Sequence, residues 1–275
     1  MFVHLLYRRS SLSHTVKVEH HGAHALFQAV ITTSRSPLLE CDYNGHKSNS
    51  SYFSDLDLSR TELLLTLFKT VLSPSKKSGD AVGKEKTRKV NVALGGVTCT
   101  FRRQIKPYES FEIWSRVLCW DEKWIFIVSH FVQKGAVKPS RYTLKGPRGM
   151  TKSPSNSSAK PEGKELGCDR ERSTRPDVHP AIFASSIAKY VFKSGRKTIA
   201  PETVLSETGL LPPEPTAAPE FHDGGDVEWT WERVQEENRH GLEIASLFTG
   251  LDAVHGTFRG NSEPVLARSE GFFAF

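Results

Sequence analysis

Between Ser50 and Leu72 the apolar residues Phe53, Leu56, Leu63, Leu64, Leu67, Phe68, Val71 and Leu72 recur largely at i, i+3, i+4 and i+7. That is the period of a helix with one apolar face. Asn49, Ser50 or Ser51 can cap its start, Asp55 and Asp57 fall in its first turns where the helix dipole favours acids, and Ser73-Pro74 ends it. The flanking segments change to strand signals. Ahead of the helix, within Ala25 to Leu39, the β-rich run Leu26 to Thr33 predicts a first strand. Behind it, Val90 to Ile105 alternates, with Val97, Cys99, Phe101, Arg103 and Ile105 on one side. Ser110 to Trp120 and Trp124 to Gln133 predict two more strands, joined by the tight connection Asp121-Glu122-Lys123. Gly95-Gly96 predicts a bulge or a close backbone approach. Ile182 to Phe192 reads as a closing strand and Pro201, Pro212, Pro213, Pro215 and Pro219 as an extended connector. Asp226 to Phe258 reads as a last helix, with Trp231, Val234, Leu242, Ala245, Leu247, Phe248, Leu251 and Val254 as its buried stripe and Gly241 and Gly250 as interruptions. A strand, one long helix and then four strands make an α+β chain. The helix has one apolar face, so it lies across the matching face of a curled antiparallel sheet.

Composition divides this chain without changing that picture. At 275 residues it is long enough to bury a proper core, and its 37% apolar content is lowered by two polar tracts, Ser75 to Lys89 and Ser140 to Asp177. The second, rich in Ser, Pro, Lys, Gly and Arg, is expected to be a disordered insertion. The organisation expected is a divergent segment over 1–24, the core over 25–138, a low-complexity insertion over 139–178, the closing strand over 179–200 and a Pro-rich connector with a C-terminal helix over 201–275. The formal charge of +6 comes largely from lysine and arginine runs in the polar tracts, whose plain reading is solvated loop, with attraction of a phosphate-rich ligand such as coenzyme A as the alternative. No aromatics are interleaved with those lysines, which argues against nucleic acid. Four scattered cysteines and five ill-spaced histidines from His4 to His24 offer neither a disulfide framework nor a metal set. With no segment of about 20 apolar residues, the chain reads as soluble, cytoplasmic and without a membrane span.

The candidate chemistry lies just before the long helix, in Asp42-Tyr43-Asn44-Gly45-His46-Lys47-Ser48-Asn49-Ser50-Ser51-Tyr52. A carboxylate and a histidine stand there beside a helix start, where free backbone N–H groups gather around polar ligands. This run resembles the Asp-x-x-Gly-His-x-Asn-Asn-x-x-Tyr signature of the 4-hydroxybenzoyl-CoA thioesterase branch of the hotdog superfamily. Gly95 to Arg103 and Tyr108 to His130 resemble the strands of that family, and Ala188 to Arg196 and Trp229 to Leu251 resemble fungal thioesterase-like proteins, some of them from secondary-metabolite gene clusters. The resemblance implies a hotdog fold, a homodimer joined edge to edge, no cofactor, and hydrolysis of an acyl thioester carried by coenzyme A or a carrier protein. It also places Asp42 as the attacking group or base, with His46 beside it. Backbone amides of Asn49, Ser50 and Ser51 would polarise the carbonyl, and Asn44, Gly45, Tyr52, Phe53 and Leu56 would meet the substrate.

Each of these residues has a plainer reading. Asp42 can cap the turn through an Asx hydrogen bond, His46 can bond a backbone carbonyl, Asn49 can serve as a helix cap and Tyr52 can simply pack. Gly45 is expected to supply a backbone conformation that tolerates no Cβ. Lys47 and Ser48 depart from the family pattern, which has an apolar residue and Asn there. No Gly-x-Ser-x-Gly elbow is present, which excludes an α/β-hydrolase thioesterase. A non-catalytic acyl-binding or scaffold protein and a dehydratase of the same fold stand as alternatives; no His–acid pair for the dehydratase can be assigned.

Overall fold

The computed structural model describes residues 22–72, 90–140, 142–143, 179–212, 214 and 229–257. Strand β1 (Val30–Arg35) leads through the motif turn into helix α1 (Asn49–Leu72). Strands β2 (Asn91–Phe101), β3 (Ser110–Trp120), β4 (Ile125–Gln133) and β5 (Ile182–Ser194) follow, then a short β6 (Lys197–Ile199), α2 (Pro201–Glu207) and α3 (Trp231–Thr249). The sheet runs in the order β1-β3-β4-β5-β2 with every described pairing antiparallel, and β6 closes a hairpin on β5. Chain neighbours β3 and β4 pair directly, but β2 crosses to the far edge and joins β5, so the sheet closes around α1. This is the hotdog arrangement expected from the element order.

Alternation explains why the sheet has two dry faces. On β4, Ile125 and Ile127 point into the core with Leu63, Leu64 and Phe68 of α1, whereas Phe126 and Val128 pack on the opposite side against Ala245 and Phe248 of α3. The unbroken burial of β4 follows. Phe68 departs from helical φ/ψ, bending the end of α1, and its ring meets Phe192 edge-on at 5.2 Å. Asp121 makes the β3–β4 turn: its carboxylate accepts from the N–H groups of Lys123 at 2.8 Å and Trp124 at 2.6 Å. The register shift between Leu94 and Gly96 is the expected bulge, and a Cβ on Gly95 would collide with the Trp124 ring.

Several expectations are corrected. The first strand starts at Val30, because Ala23–Ala25 form a 3-10 turn that buries Leu26. Asp55 and Asp57 lie beyond the first turn of α1, whose opening carries no acid. Pro201 begins a helix instead of an extended connector, since proline at N1 needs no N–H and already has a helical φ. In α3 the buried face is Val234, Asn238, Gly241, Ala245 and Phe248, while Leu247, Leu251 and Val254 are exposed. Gly241 does not interrupt α3; it lets the helix approach the Leu118 backbone, where a Cβ would collide with the carbonyl oxygen. Asn238 ties the same contact, accepting from the Trp120 N–H at 2.7 Å and donating to its carbonyl at 3.2 Å. No helix among the described residues is long and apolar enough to cross a membrane. The tracts Ser75 to Lys89 and 144–178, most of the 1–24 segment, and Pro213, Pro215 and Pro219 lie outside the described residues.

Candidate active site

The motif forms a tight loop closed by backbone bonds. Asp42 N–H donates to the His46 carbonyl at 2.9 Å and Gly45 N–H to the Asp42 carbonyl at 3.0 Å. Gly45 has φ +72°, the left-handed conformation in which a side chain is strained, so the expected need for glycine is met. Beyond the loop, Lys47 N–H donates to the Ile105 carbonyl at 2.9 Å and Ser48 N–H to the Glu40 carbonyl at 2.8 Å. These two bonds tie the end of the loop to the β2–β3 connection and to the 3-10 turn Leu38–Glu40 that precedes it.

Asp42 is an Asx cap: its Oδ1 accepts the Asn44 N–H at 2.9 Å, while Oδ2 has only a long 3.5 Å contact with Asn44 Nδ2. Its side chain stays 26% exposed, so one carboxylate oxygen remains available at the protein surface. His46 Nδ1 stands 3.7 Å from Oδ1, near enough for electrostatic attraction when protonated but too far for a hydrogen bond. Asn44, Gly45, Asn49 and Ser50 are exposed around it.

The expected amide donors divide. Asn49 and Ser50 open α1, where the helical ladder supplies no acceptor for their N–H groups. The Ser51 N–H instead donates to the Ser48 carbonyl at 3.0 Å, and its hydroxyl to the same oxygen at 2.7 Å. Of the expected substrate contacts, Tyr52 and Leu56 are core residues. Tyr52 is held edge-on between Phe101 and Phe131 at 5.0 and 4.8 Å, and burial pushes its hydroxyl pKa up to about 12. Phe53 remains half-buried beside them.

Sequence reasoning missed the most densely charged feature. The Lys47 side chain is fully buried, with Nζ 2.6 Å from Glu40 Oε2 and 2.8 Å from Asp55 Oδ2. It also lies over the rings of Tyr52 and Phe111 at 5.6 and 5.4 Å. Asp55 further accepts from the Ser34 hydroxyl at 3.2 Å, and burial raises its pKa despite the opposing pull of Lys47. A lysine between two apolar-flanked acids was the available signal. The departure at this motif position is thus an ion-pair anchor between the loop and α1. Among the described residues no His, Cys, Asp and Glu group is placed to hold a metal ion.

Residues 37–160 match the family model of the thioesterase-like superfamily. Thioesterase poxG of Penicillium oxalicum is 39% identical over 96% of this chain and 79% of its own length. Probable thioesterase atnL of Emericella nidulans is 38% identical over 92% of this chain and 78% of its own. Among solved structures, the probable thioesterase YbaW from Escherichia coli covers 66% of this chain and 96% of its own, with 13% identity and a TM-score of 0.38. The loop before α1, the curled sheet around that helix and the near full-length likeness to fungal relatives agree: the chain belongs to the thioesterase-like superfamily, as an enzyme that hydrolyses thioesters.

Proposed function

We propose that this chain hydrolyses an acyl thioester of coenzyme A or a carrier protein, with Asp42 as the catalytic carboxylate and the Asn49 and Ser50 N–H groups as the donors to the carbonyl. The observation that carries the reading is the fixed, 26% exposed Asp42 carboxylate in the loop that leads into the N-terminus of α1. Asp42 takes a proton from water as the water oxygen bonds to the acyl carbon. The C–S bond then breaks, the thiolate leaves with a proton, and the acyl group departs as a carboxylic acid. Negative charge building on the carbonyl oxygen is stabilised by the helix-start amides; losing one such donor costs about 3 kcal/mol in the barrier of other enzymes. His46 flanks the Asp42 carboxylate, its Nδ1 3.7 Å from Oδ1. A role in secondary metabolism is what the resemblance of Ala188 to Arg196 and Trp229 to Leu251 to fungal thioesterase-like proteins implies. A cytoplasmic homodimer joined at the β2 edge of the sheet fits the open outer edge of that strand.

Steady-state hydrolysis of acyl-CoAs and N-acetylcysteamine thioesters by wild-type, Asp42→Asn and Asp42→Ala proteins tests the reading. Loss of about a hundredfold or more in kcat supports it, the scale of a general base. The Asx bond favours one second reading, a non-catalytic acyl-binding protein in which Asp42 only shapes the loop. Variants as fast as wild type would establish that reading in place of the first.

A further inference from the structure

The apolar interior is cut in two by a polar belt that the hydrolytic site does not use. Ser115 on β3, Ser129 on β4, Ser186 on β5 and Cys99 on β2 are successive cross-strand neighbours at one level of the sheet's inner face. On one side lies the cluster around Tyr52, Leu56 and Phe131, on the other that around Leu63, Phe68 and Ile127. Ser59 of α1 sits over the belt with its hydroxyl 2.8 Å from that of Ser115, which is 2.7 Å from that of Ser129. There the hydrogen bonding stops. The Ser186 hydroxyl is buried with no partner, and so are Nε and Nη1 of Arg60 on α1.

Arg60 is 1% exposed, and its Nη2 alone is engaged, with Asp57 Oδ1 at 2.6 Å. Its Cζ lies 5.9 Å from the centre of the Tyr190 ring, and its charge reaches the Cys99 thiol. Leaving a buried donor unmatched costs about 1–3 kcal/mol, and more for a charged group. Two guanidinium N–H groups and a hydroxyl therefore await an acceptor. Phe53, Asp57 and Arg60 follow at i, i+4 and i+7 on one face of α1, and Asp57, whose carboxylate holds Arg60, is 63% exposed.

We propose that Arg60 and Ser186 form a receptor for an oxygen carried far along the acyl chain of the substrate. This rests on the hydrolase reading for where the thioester lies. Asn49 and Arg60 are eleven residues apart, about 16 Å of helix, so the oxygen sits on the order of ten to twelve carbons from the thioester carbonyl. A hydroxyl or carbonyl oxygen accepts from Nε and Nη1, and the Ser186 hydroxyl completes its hydrogen bonding. Asp57 already meets part of the Arg60 charge, which favours a neutral oxygen over a carboxylate.

The test compares dodecanoyl-CoA, 3-hydroxydodecanoyl-CoA, 12-hydroxydodecanoyl-CoA and the CoA ester of dodecanedioic acid on wild type, R60K, R60M and S186A. Wild type is expected to favour the 12-hydroxy ester over dodecanoyl-CoA by about tenfold or more in kcat/KM, the scale of one charge-assisted hydrogen bond. The 3-hydroxy ester should show no such gain. R60M and R60K should lose the preference while hydrolysing dodecanoyl-CoA at close to the wild-type rate, and S186A should lose part of it. A preference for the dicarboxylic ester that R60M abolishes also supports the receptor, with a carboxylate as its ligand. Equal rates on all four esters, or variants that slow every ester alike, would overturn it and leave water as the occupant. Thermal shifts of Asp42→Asn protein with the same esters keep the two readings apart. Without turnover, a larger rise with the 12-hydroxy ester that is absent from the same protein carrying R60K sustains the receptor, and equal rises refute it.

Discussion

Replacing Lys47 with methionine probes the anchor beneath the Asp42–His46 loop. The substitution keeps an unbranched side chain against Tyr52 and Phe111 but removes the charge that both Glu40 and Asp55 face at 2.6 and 2.8 Å. Glu40 is 40% exposed and can turn to water, whereas Asp55 is 14% exposed and cannot. Breaking a buried pair from one side costs roughly 3–5 kcal/mol, so with one acid free to resolvate we expect about 3 kcal/mol. The pH dependence has a definite sign. Burial holds the folded pKa of Asp55 above its ordinary value while Lys47 pulls it down. Between the ordinary and the raised pKa the folded state binds more protons than the unfolded one, so stability falls as pH rises through that window. Without Lys47 the folded pKa climbs further and the fall extends to higher pH. Urea unfolding of wild type, K47M, D55N and K47M/D55N should therefore show the K47M loss small near pH 5 and largest near pH 8. The double variant should recover most of it, because no charge is left buried. A K47M loss that is independent of pH, or a double variant no better than K47M, would refute the reasoning.

Two further outcomes follow from the packing of α3 on the sheet. Gly241→Ala gains about 1 kcal/mol of helix propensity. Its Cβ, however, would collide with the Leu118 carbonyl and lie 2.8 Å from Cys119 Cβ. A net loss of about 1–3 kcal/mol by chemical denaturation is expected, and a stabilised variant would show that α3 does not dock as described. Cys119, whose thiol is pushed up to about 12 by burial first and Asp121 second, should resist iodoacetamide at pH 8 in the native protein. Half-buried Cys41 should react ahead of Cys119 by peptide mapping, and equal labelling of the two would contradict the burial.

Elements whose burial repeats locally are legible in the order of residues alone. Helix α1 and strands β3 and β4 lie within a residue of where the apolar period predicts them, because one face of each meets the core along its whole length. The Asp42–His46 loop was legible for a similar reason: its glycine and Asx chemistry are confined to a few consecutive residues. Pairings between residues distant in the chain emerge only on folding. Strand register puts Ser115, Ser129, Ser186 and Cys99 in one row, and only the docking of α1 brings Arg60 over it. Lys47 read as a polar departure because its partners are seven residues before and eight after it, across a turn and onto a helix. The α3 stripe was misjudged since the helix approaches the sheet through Gly241 and Asn238, a glycine and an amide that carry no hydrophobic signal. Period reports how much of a residue is buried; which polar groups then face each other is fixed by register and helix docking.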